Sequence, residues 1–255
     1  MTTKTGQAGA VTQPTATQQS GPVLKFELLS MEIENDSNRL EFGAVSFTLS
    51  DESPFAVILG PSGSGKTTLM KSLFEPFHRE WQQSGAFRVS ENHRIDALSL
   101  DQLTRCIGYA AQRPYFLPYA SARKNLVAPI KWTDKQEISE ASIEQVIEHF
   151  QLSSFIDQKA SFLSAGERQR LNLARAFLMS PRVVIIDECL SALDENMATE
   201  IRKTIQSQYA SKCRILVISH RSSDLVELSK ITVTLSDNRS QTANKRLQKI
   251  TAVVS

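Results

Sequence analysis

The sequence predicts an α/β fold built on a parallel central sheet, and three observations carry that prediction. The first is a set of short, uninterrupted apolar runs: Phe55–Leu59, Val183–Ile186 and Ile215–Ile218. Strands buried on both faces read this way, whereas half-exposed strands alternate. The second is helical periodicity between those runs. In QEISEASIEQVIEHF, Ile138, Ile143, Val146, Ile147 and Phe150 recur mostly at three- and four-residue spacing, and 194–209 carries Met197, Ile201 and Ile205 on one face. The third is the junction after the first run, where a glycine-rich turn, Gly60 to Gly65, leads into Lys66-Thr67-Thr68-Leu69-Met70, which opens a helix.

The remaining elements follow in chain order. Residues 1–22 are rich in Thr, Gln, Gly and Ala, have little to bury, and read as a disordered tail. Two strand-like stretches, Val23–Leu29 and Phe42–Leu49, come next, with the polar stretch MEIENDSNRL read as the loop between them. Cys106 to Ala111 is strand-like. The region 113–180 reads as mainly helical, and its last helix, Ala165 to Met179, stops before Pro181. Ile231–Leu235 reads as the final strand of a domain spanning 23–240. Residues 241–255, including the basic Lys245–Lys249, read as a solvated C-terminal tail.

Composition narrows the function classes. The 29 Lys and Arg nearly balance 27 Asp and Glu, for a formal charge of +2, so no clustered basic field argues for a nucleic-acid partner. Cys106, Cys189 and Cys213 are far apart and form no CxxC pair, as expected of reduced thiols without a zinc site. The apolar runs are far shorter than the ~20 residues of a membrane-spanning helix. The start of the chain also lacks the apolar segment of a secretory signal.

Two motifs carry the chemistry. Gly60-Pro61-Ser62-Gly63-Ser64-Gly65-Lys66-Thr67 fits G-x-x-x-x-G-K-[ST] without a mismatch, and Thr68 follows it. Glycines let such a loop curl with its N–H groups inward, and the helix that follows turns its positive end to the phosphates. Lys66 supplies a point charge for the β- and γ-phosphates and Thr67 a hydroxyl for Mg²⁺. The second motif is the apolar strand VVIIDE, which ends in two acids. Asp187 is placed to hold Mg²⁺, and Glu188, one residue on, to polarise an attacking water as general base.

Between and around these motifs lie FLSAGERQRLNLARAF, PRVVIIDE and LSALDE. Together they resemble the ABC (ATP-binding cassette) ATPase family in the order Walker A, Q-loop, signature, Walker B, D-loop and H-loop, over roughly residues 23 to 238. The resemblance implies a P-loop NTPase, RecA-like core with a helical subdomain at 113–180 and a small antiparallel β subdomain from the N-terminal strands. It also implies further roles. Gln112 matches the Q-loop glutamine, sensing Mg²⁺ and water. Ser164, Ala165, Gly166 and Glu167 match the signature, which contacts the ATP of a second subunit. Asp194 matches the D-loop, and His220 matches the switch histidine near the γ-phosphate. The implied cofactors are ATP and Mg²⁺. The implied partners are a second cassette subunit, identical or paralogous, and an integral membrane permease. The implied location is cytoplasmic, peripheral on the cytoplasmic face of the inner membrane.

The signature residues have a second reading, as a capping box with Ser164 at the N-cap and Glu167 at N3, and both readings can hold at once. The sequence departs from the family at three points. Ala165 adds a Cβ to the signature, Cys189 replaces the usual proline after the Walker B glutamate, and Ile33 stands nearest the position of the adenine-stacking aromatic. ATP is therefore expected to be held mainly through its phosphates. RPYFLPYASARKNL, after Gln112, resembles the surface that receives a permease, with Tyr115, Phe116, Leu117 and Tyr119 expected to be exposed. Two other function classes fit a nucleotide-binding chain: a soluble ABC ATPase acting in DNA repair, translation or cofactor assembly, and a regulatory nucleotide binder without turnover. The lack of a long coiled coil or basic patch weighs against the first, and Glu188 with His220 weighs against the second.

Overall fold

The structure is a computed structural model that describes residues 24–34, 38–74, 81–90, 93–94, 99–132, 138–220, 229–242 and 245–255. The tail read at 1–22 lies outside the described residues. The first strand, β1 (Leu24–Glu34), pairs antiparallel with β2 (Asn38–Phe42), β3 (Val45–Leu49) and β5 (Trp81–Ser90). β5 in turn pairs with the short β6 (His93–Arg94). This is the antiparallel part of the fold. It corrects the loop read at MEIENDSNRL, because Met31 to Glu34 continue β1 past an irregularity between Leu28 and Ser30, opposite Arg39 to Phe42 of β2. The stretch Phe42–Leu49 divides at Gly43 and Ala44, leaving β3 with strict alternation of buried and exposed residues.

The parallel part is built from the apolar runs. β4 (Phe55–Leu59) lies between β9 (Arg214–Ser219) and β10 (Ile231–Thr242). β8 (Val183–Asp187) follows β9, and β7 (Ile107–Ala110) ends this side of the sheet. Alternate residues of one strand enter different layers. Phe55, Val57, Val184, Ile186, Ile215 and Val217 join a core with the helices α3 (Ala122–Val127), α4 (Glu140–His149), α5 (Ala165–Leu178) and α6 (Glu195–Tyr209). Ala56, Ile58, Val183, Ile185, Leu216 and Ile218 face the opposite layer, with Leu69 and Met70 of α1 (Lys66–Phe74) and Phe26, Phe47 and Leu49 of the antiparallel strands. Leu103 of α2 (Leu100–Cys106) packs against this second layer. Two-sided burial is why the runs contain no alternation.

The helix starts follow from local chemistry. Ser139, Ser164 and Asp194 are N-caps whose side chains accept from backbone N–H groups three residues on, so α4, α5 and α6 begin where orphan donors find an acceptor. The C-terminal tail reading is corrected. β10 continues to Thr242, and β11 (Lys245–Val254) returns antiparallel to it and runs parallel to β2, joining the two parts of the sheet. The basic Lys245–Lys249 that reads as solvated in the sequence therefore lies in a strand, where backbone pairing with two neighbours overrides composition.

Candidate functional site

The sheet brings the carboxyl ends of four parallel strands to one edge. β4 ends at Gly60, β7 leads to Gln112, β8 ends in Asp187 and Glu188, and β9 ends at His220. The chain leaves β4 toward the layer that holds α1, whereas α6, between β8 and β9, covers the other face. The crevice outside the carboxyl ends of such strands is where open α/β sheets hold ligands.

The glycine loop folds around its own lysine. Gly63 and Gly65 have φ of 79° and 82°, the left-handed region that favours glycine. Lys66 is buried to 4% exposure, and its Nζ donates to the carbonyls of Gly60 (2.8 Å) and Pro61 (2.9 Å). The Ser64 hydroxyl beneath the loop is buried without a hydrogen-bond partner. Thr67 Oγ1 lies 3.4 Å from Asp187 Oδ1, a long contact between two hard oxygen donors. Tyr109, from β7, donates to Asp187 Oδ2 at 2.9 Å. Burial raises the Asp187 carboxyl above its ordinary pKa, and the hydrogen bonds from Tyr109 and Thr67 oppose that rise.

Glu188 is the meeting point of the site. Gln112 Nε2 donates to Glu188 Oε2 at 2.7 Å, Lys66 Nζ stands 3.5 Å from Oε1, and His220 Nδ1 stands 3.7 Å from Oε1. Glu188 itself has φ of 51°, a left-handed backbone on a non-glycine residue. Such a conformation costs of order 1–3 kcal/mol and persists only where neighbours enforce it. Here the Glu188 N–H donates to the Ile218 carbonyl at 3.0 Å, and Ser191 Oγ donates to the Glu188 carbonyl at 2.7 Å. The structure thus gathers Lys66, Thr67, Gln112, Asp187, Glu188 and His220 into one group.

It keeps the signature residues apart from that group. Ser164 and Glu167 form the capping box: Glu167 N–H donates to Ser164 Oγ at 3.3 Å, and Ser164 N–H to Glu167 Oε2 at 2.8 Å. The Ser164 backbone and hydroxyl hold the Glu167 carboxyl below its usual pKa. Ser164 and Ala165 are exposed. A Cβ built on Gly166 would meet nothing nearer than Leu193 Cδ2 at 3.8 Å, so its own chain does not require glycine there. Asp194 caps α6 by accepting from Met197 N–H at 3.0 Å.

Other features were not legible in the motifs. Tyr109 reads as one more apolar strand residue, and only its register beside Asp187 reveals its role. Cys189, after Glu188, is fully buried, and its thiol donates to the Ala110 carbonyl at 3.1 Å. Of the aromatics expected at the surface, Tyr115 and Tyr119 are 76% and 85% exposed, and Leu117 is also exposed. Phe116 is instead turned inward under the Arg175 guanidinium, 4.6 Å from its ring centre, and packs on the core. Phe162 joins the exposed group, because Ser161 N–H donates to the Pro118 carbonyl at 3.0 Å and brings the two turns together. Ile33 lies in β1, and its side chain is outside the described residues. Among the described residues, no helix is long and apolar enough to cross a membrane.

Comparison with known proteins bears on this geometry. The family model described as ABC transporter matches residues 42–191. The molybdenum import ATP-binding protein ModC of Brucella suis biovar 1 (strain 1330) is 30% identical over 200 residues, which cover 77% of this chain and 54% of that protein. ModC 1 of Azotobacter vinelandii is 32% identical over 206 residues, covering 76% and 54%. The chain thus spans about half the length of these relatives. A solved dimeric bacterial ABC transporter cassette superposes with a TM-score of 0.70 at 20% identity, covering 83% of this chain and 93% of that one.

Proposed function

The chain belongs to the ABC transporter family, and we propose that it is an ATP-hydrolysing subunit that pairs with a second cassette and drives a separate membrane permease. The observation that carries this reading is the convergence of Lys66, Gln112 and His220 on Glu188, beside the Thr67–Asp187 pair. Gly60 to Thr68 receive the phosphates. The residues present suit Mg²⁺, which demands hard oxygen donors and keeps waters and phosphate oxygens as its other ligands. Thr67 and Asp187 would hold it, with Gln112 at its edge. When bound, the ion neutralises charge on the β- and γ-phosphates. The Glu188 carboxylate accepts a proton from water as the water oxygen bonds to the γ-phosphorus. The bond from that phosphorus to the bridging oxygen breaks, and ADP leaves. Gln112 orients Glu188 and the water, and His220 faces the same carboxylate from the end of β9.

The signature supports the two-subunit form. Ser164 sits exposed at a helix N-terminus, a favourable place for phosphate, with a glycine two residues on that its own chain does not need. A second copy or a paralogue would bring its nucleotide there. The exposed Tyr115, Leu117, Tyr119 and Phe162 support a permease-facing surface, and with that partner the proposed location is the cytoplasmic face of a membrane. Cargo and direction belong to the permease. Glu188→Gln tests the reading. Loss of about 100-fold or more in hydrolysis, with nucleotide binding kept, is expected of a general base. Unchanged turnover overturns it. Purification from membranes separates transport from the soluble alternatives: a co-purifying multi-span protein supports transport, whereas ribosomes or DNA sink it.

A further inference from the structure

Three side chains hold three consecutive carbonyls on the segment that leaves β7. Cys189 Sγ donates to the Ala110 carbonyl at 3.1 Å, Asn172 Nδ2 to the Ala111 carbonyl at 2.8 Å, and Gln169 Nε2 to the Gln112 carbonyl at 3.0 Å. Further along, Arg175 donates to the Tyr115 carbonyl at 2.9 Å. Gln169, Asn172 and Arg175 are spaced by three on α5, so one helix stripe faces the whole segment. Asn172 and Cys189 are also joined, with Nδ2 3.4 Å from Sγ, and both are fully buried.

We infer that Gln169, Asn172 and Cys189 are positioning residues that fix the Gln112 backbone and so set its amide on Glu188. This deepens the proposed hydrolytic reading and rests on it. Asn172 shows that the arrangement serves more than packing. Its Oδ1 is buried without a partner, a burden of about 1–3 kcal/mol for a polar group. The amide carries that burden while its Nδ2 holds the Ala111 carbonyl and Gln169 Oε1. Cys189 supplies a donor that the imino acid usual at this position in the family lacks. α5 begins at Ser164, so the helix that presents the signature to a second subunit also carries the groups that hold Gln112. A shift of α5 therefore moves Gln112 relative to Glu188.

The test combines kinetics with amide hydrogen exchange on the full chain. Asn172→Leu removes the donor with a bulkier side chain of the same branching, and Gln169→Glu removes it at nearly constant volume. We expect kcat to fall about tenfold with KM for ATP within about twofold, since a misplaced catalytic group loses rate without losing substrate. In a Gln112→Ala background the same substitutions should change kcat less than about twofold, because they act through that residue. Exchange at the β7 amides of 107–110, paired with β8 just before the held carbonyls, should quicken in both variants while α5 keeps its protection. Cys189→Ser, which retains a donor, should keep the protection that Cys189→Ala loses. Losses that multiply with Gln112→Ala, or wild-type exchange at 107–110, overturn the inference. Absence of turnover in the parent chain overturns the hydrolytic reading instead, and exchange then still decides whether these side chains hold the segment.

Discussion

The two ends of the chain's chemistry are built in opposite ways. At the strand ends, Lys66, Gln112 and His220 are drawn to Glu188, and Thr67 and Tyr109 to Asp187. That region is partly buried and already organised by contacts within one chain. At the start of α5, the Ser164 and Glu167 side chains form a capping box, and a Cβ on Gly166 would make only ordinary contact with Leu193 and Ala192. On the proposed reading, the first region is the catalytic group. The second, on the same reading, is a half-site whose exposed helix end and glycine await another molecule. The proposal thus divides the labour: hydrolysis within one subunit, closure of the site by the next.

The sharpest way to break that comparison is to damage each region in a different copy. Lys66→Ala removes the phosphate charge, and Gly166→Asp puts a like charge at the signature. In a symmetric dimer of this chain each variant alone disables both composite sites, and turnover should fall about 100-fold or more. Mixed in equal amounts, the two variants should recover roughly one quarter of parental turnover, because half the dimers are mixed and each carries one intact site. A steady-state assay of the mixture checks this. No recovery would show that Gly166 serves its own subunit's site. Gly166→Asp should leave the thermal midpoint of the isolated chain nearly unchanged, given the room around it.

Gly108 provides the contrasting glycine. A Cβ there would lie 2.0 Å from the Ala176 carbonyl oxygen and 3.0 Å from Pro181 Cγ, so α5 lies against β7 with no space for a methyl group. Both the strand and the facing helix carbonyl are backbone, and neither yields without moving α5. Gly108→Ala should cost at least about 1–3 kcal/mol and, by displacing the stripe that holds 110–112, lower turnover as well. Chemical denaturation and the hydrolysis assay measure the two effects separately.

Much of this was legible in the sequence, and the residues that were not share a cause. The runs at 55–59, 183–186 and 215–218 announce a parallel sheet because two-sided burial removes alternation. The loop at 60–67 and the acids at 187 and 188 announce themselves because backbone curvature and ion binding admit few residue types. Tyr109, Gly108, Asn172 and Cys189 give no such signal. Each is an ordinary residue for its element, and its role depends on a neighbour some 60 to 80 positions away, as with Asn172 and Ala111 or Tyr109 and Asp187. β11 was missed for a related reason: its partners β10 and β2 supply the pairing that its polar composition does not suggest.

A gentler probe of the first region is Asp187→Asn. Burial raises the Asp187 pKa in the folded chain, so the charged form is disfavoured there relative to the unfolded chain. The sign follows from linkage. This group leaves the fold most stable below its unfolded pKa of about 3.9, and stability is lost as pH rises through the folded value. The ligand-free Asn variant should therefore melt a few degrees higher than the parent at pH 7, with the gap closing toward pH 4, while hydrolysis is abolished. Calorimetry across that pH range checks it. A lower midpoint at pH 7 would mean that the bonds from Tyr109 and Thr67 outweigh the burial of the charge.

The smallest effect separates capping from catalysis at the second region. The Glu167 carboxyl is held below its usual pKa by the Ser164 N–H and hydroxyl, so its contribution is present above about pH 4.3 and lost as pH falls through the depressed folded value. Glu167→Ala removes one half of the capping box and should cost about 1 kcal/mol. Glu167→Gln keeps an acceptor for the Ser164 N–H and should cost less than about 0.5 kcal/mol, losing the acid-side dependence. Denaturation of the two variants at neutral and acid pH checks both numbers. If Gln restores the cap and turnover is unchanged, the charge at Glu167 serves the helix alone, and the phosphate-binding part of this half-site reduces to Ser164, Gly166 and the helix end itself.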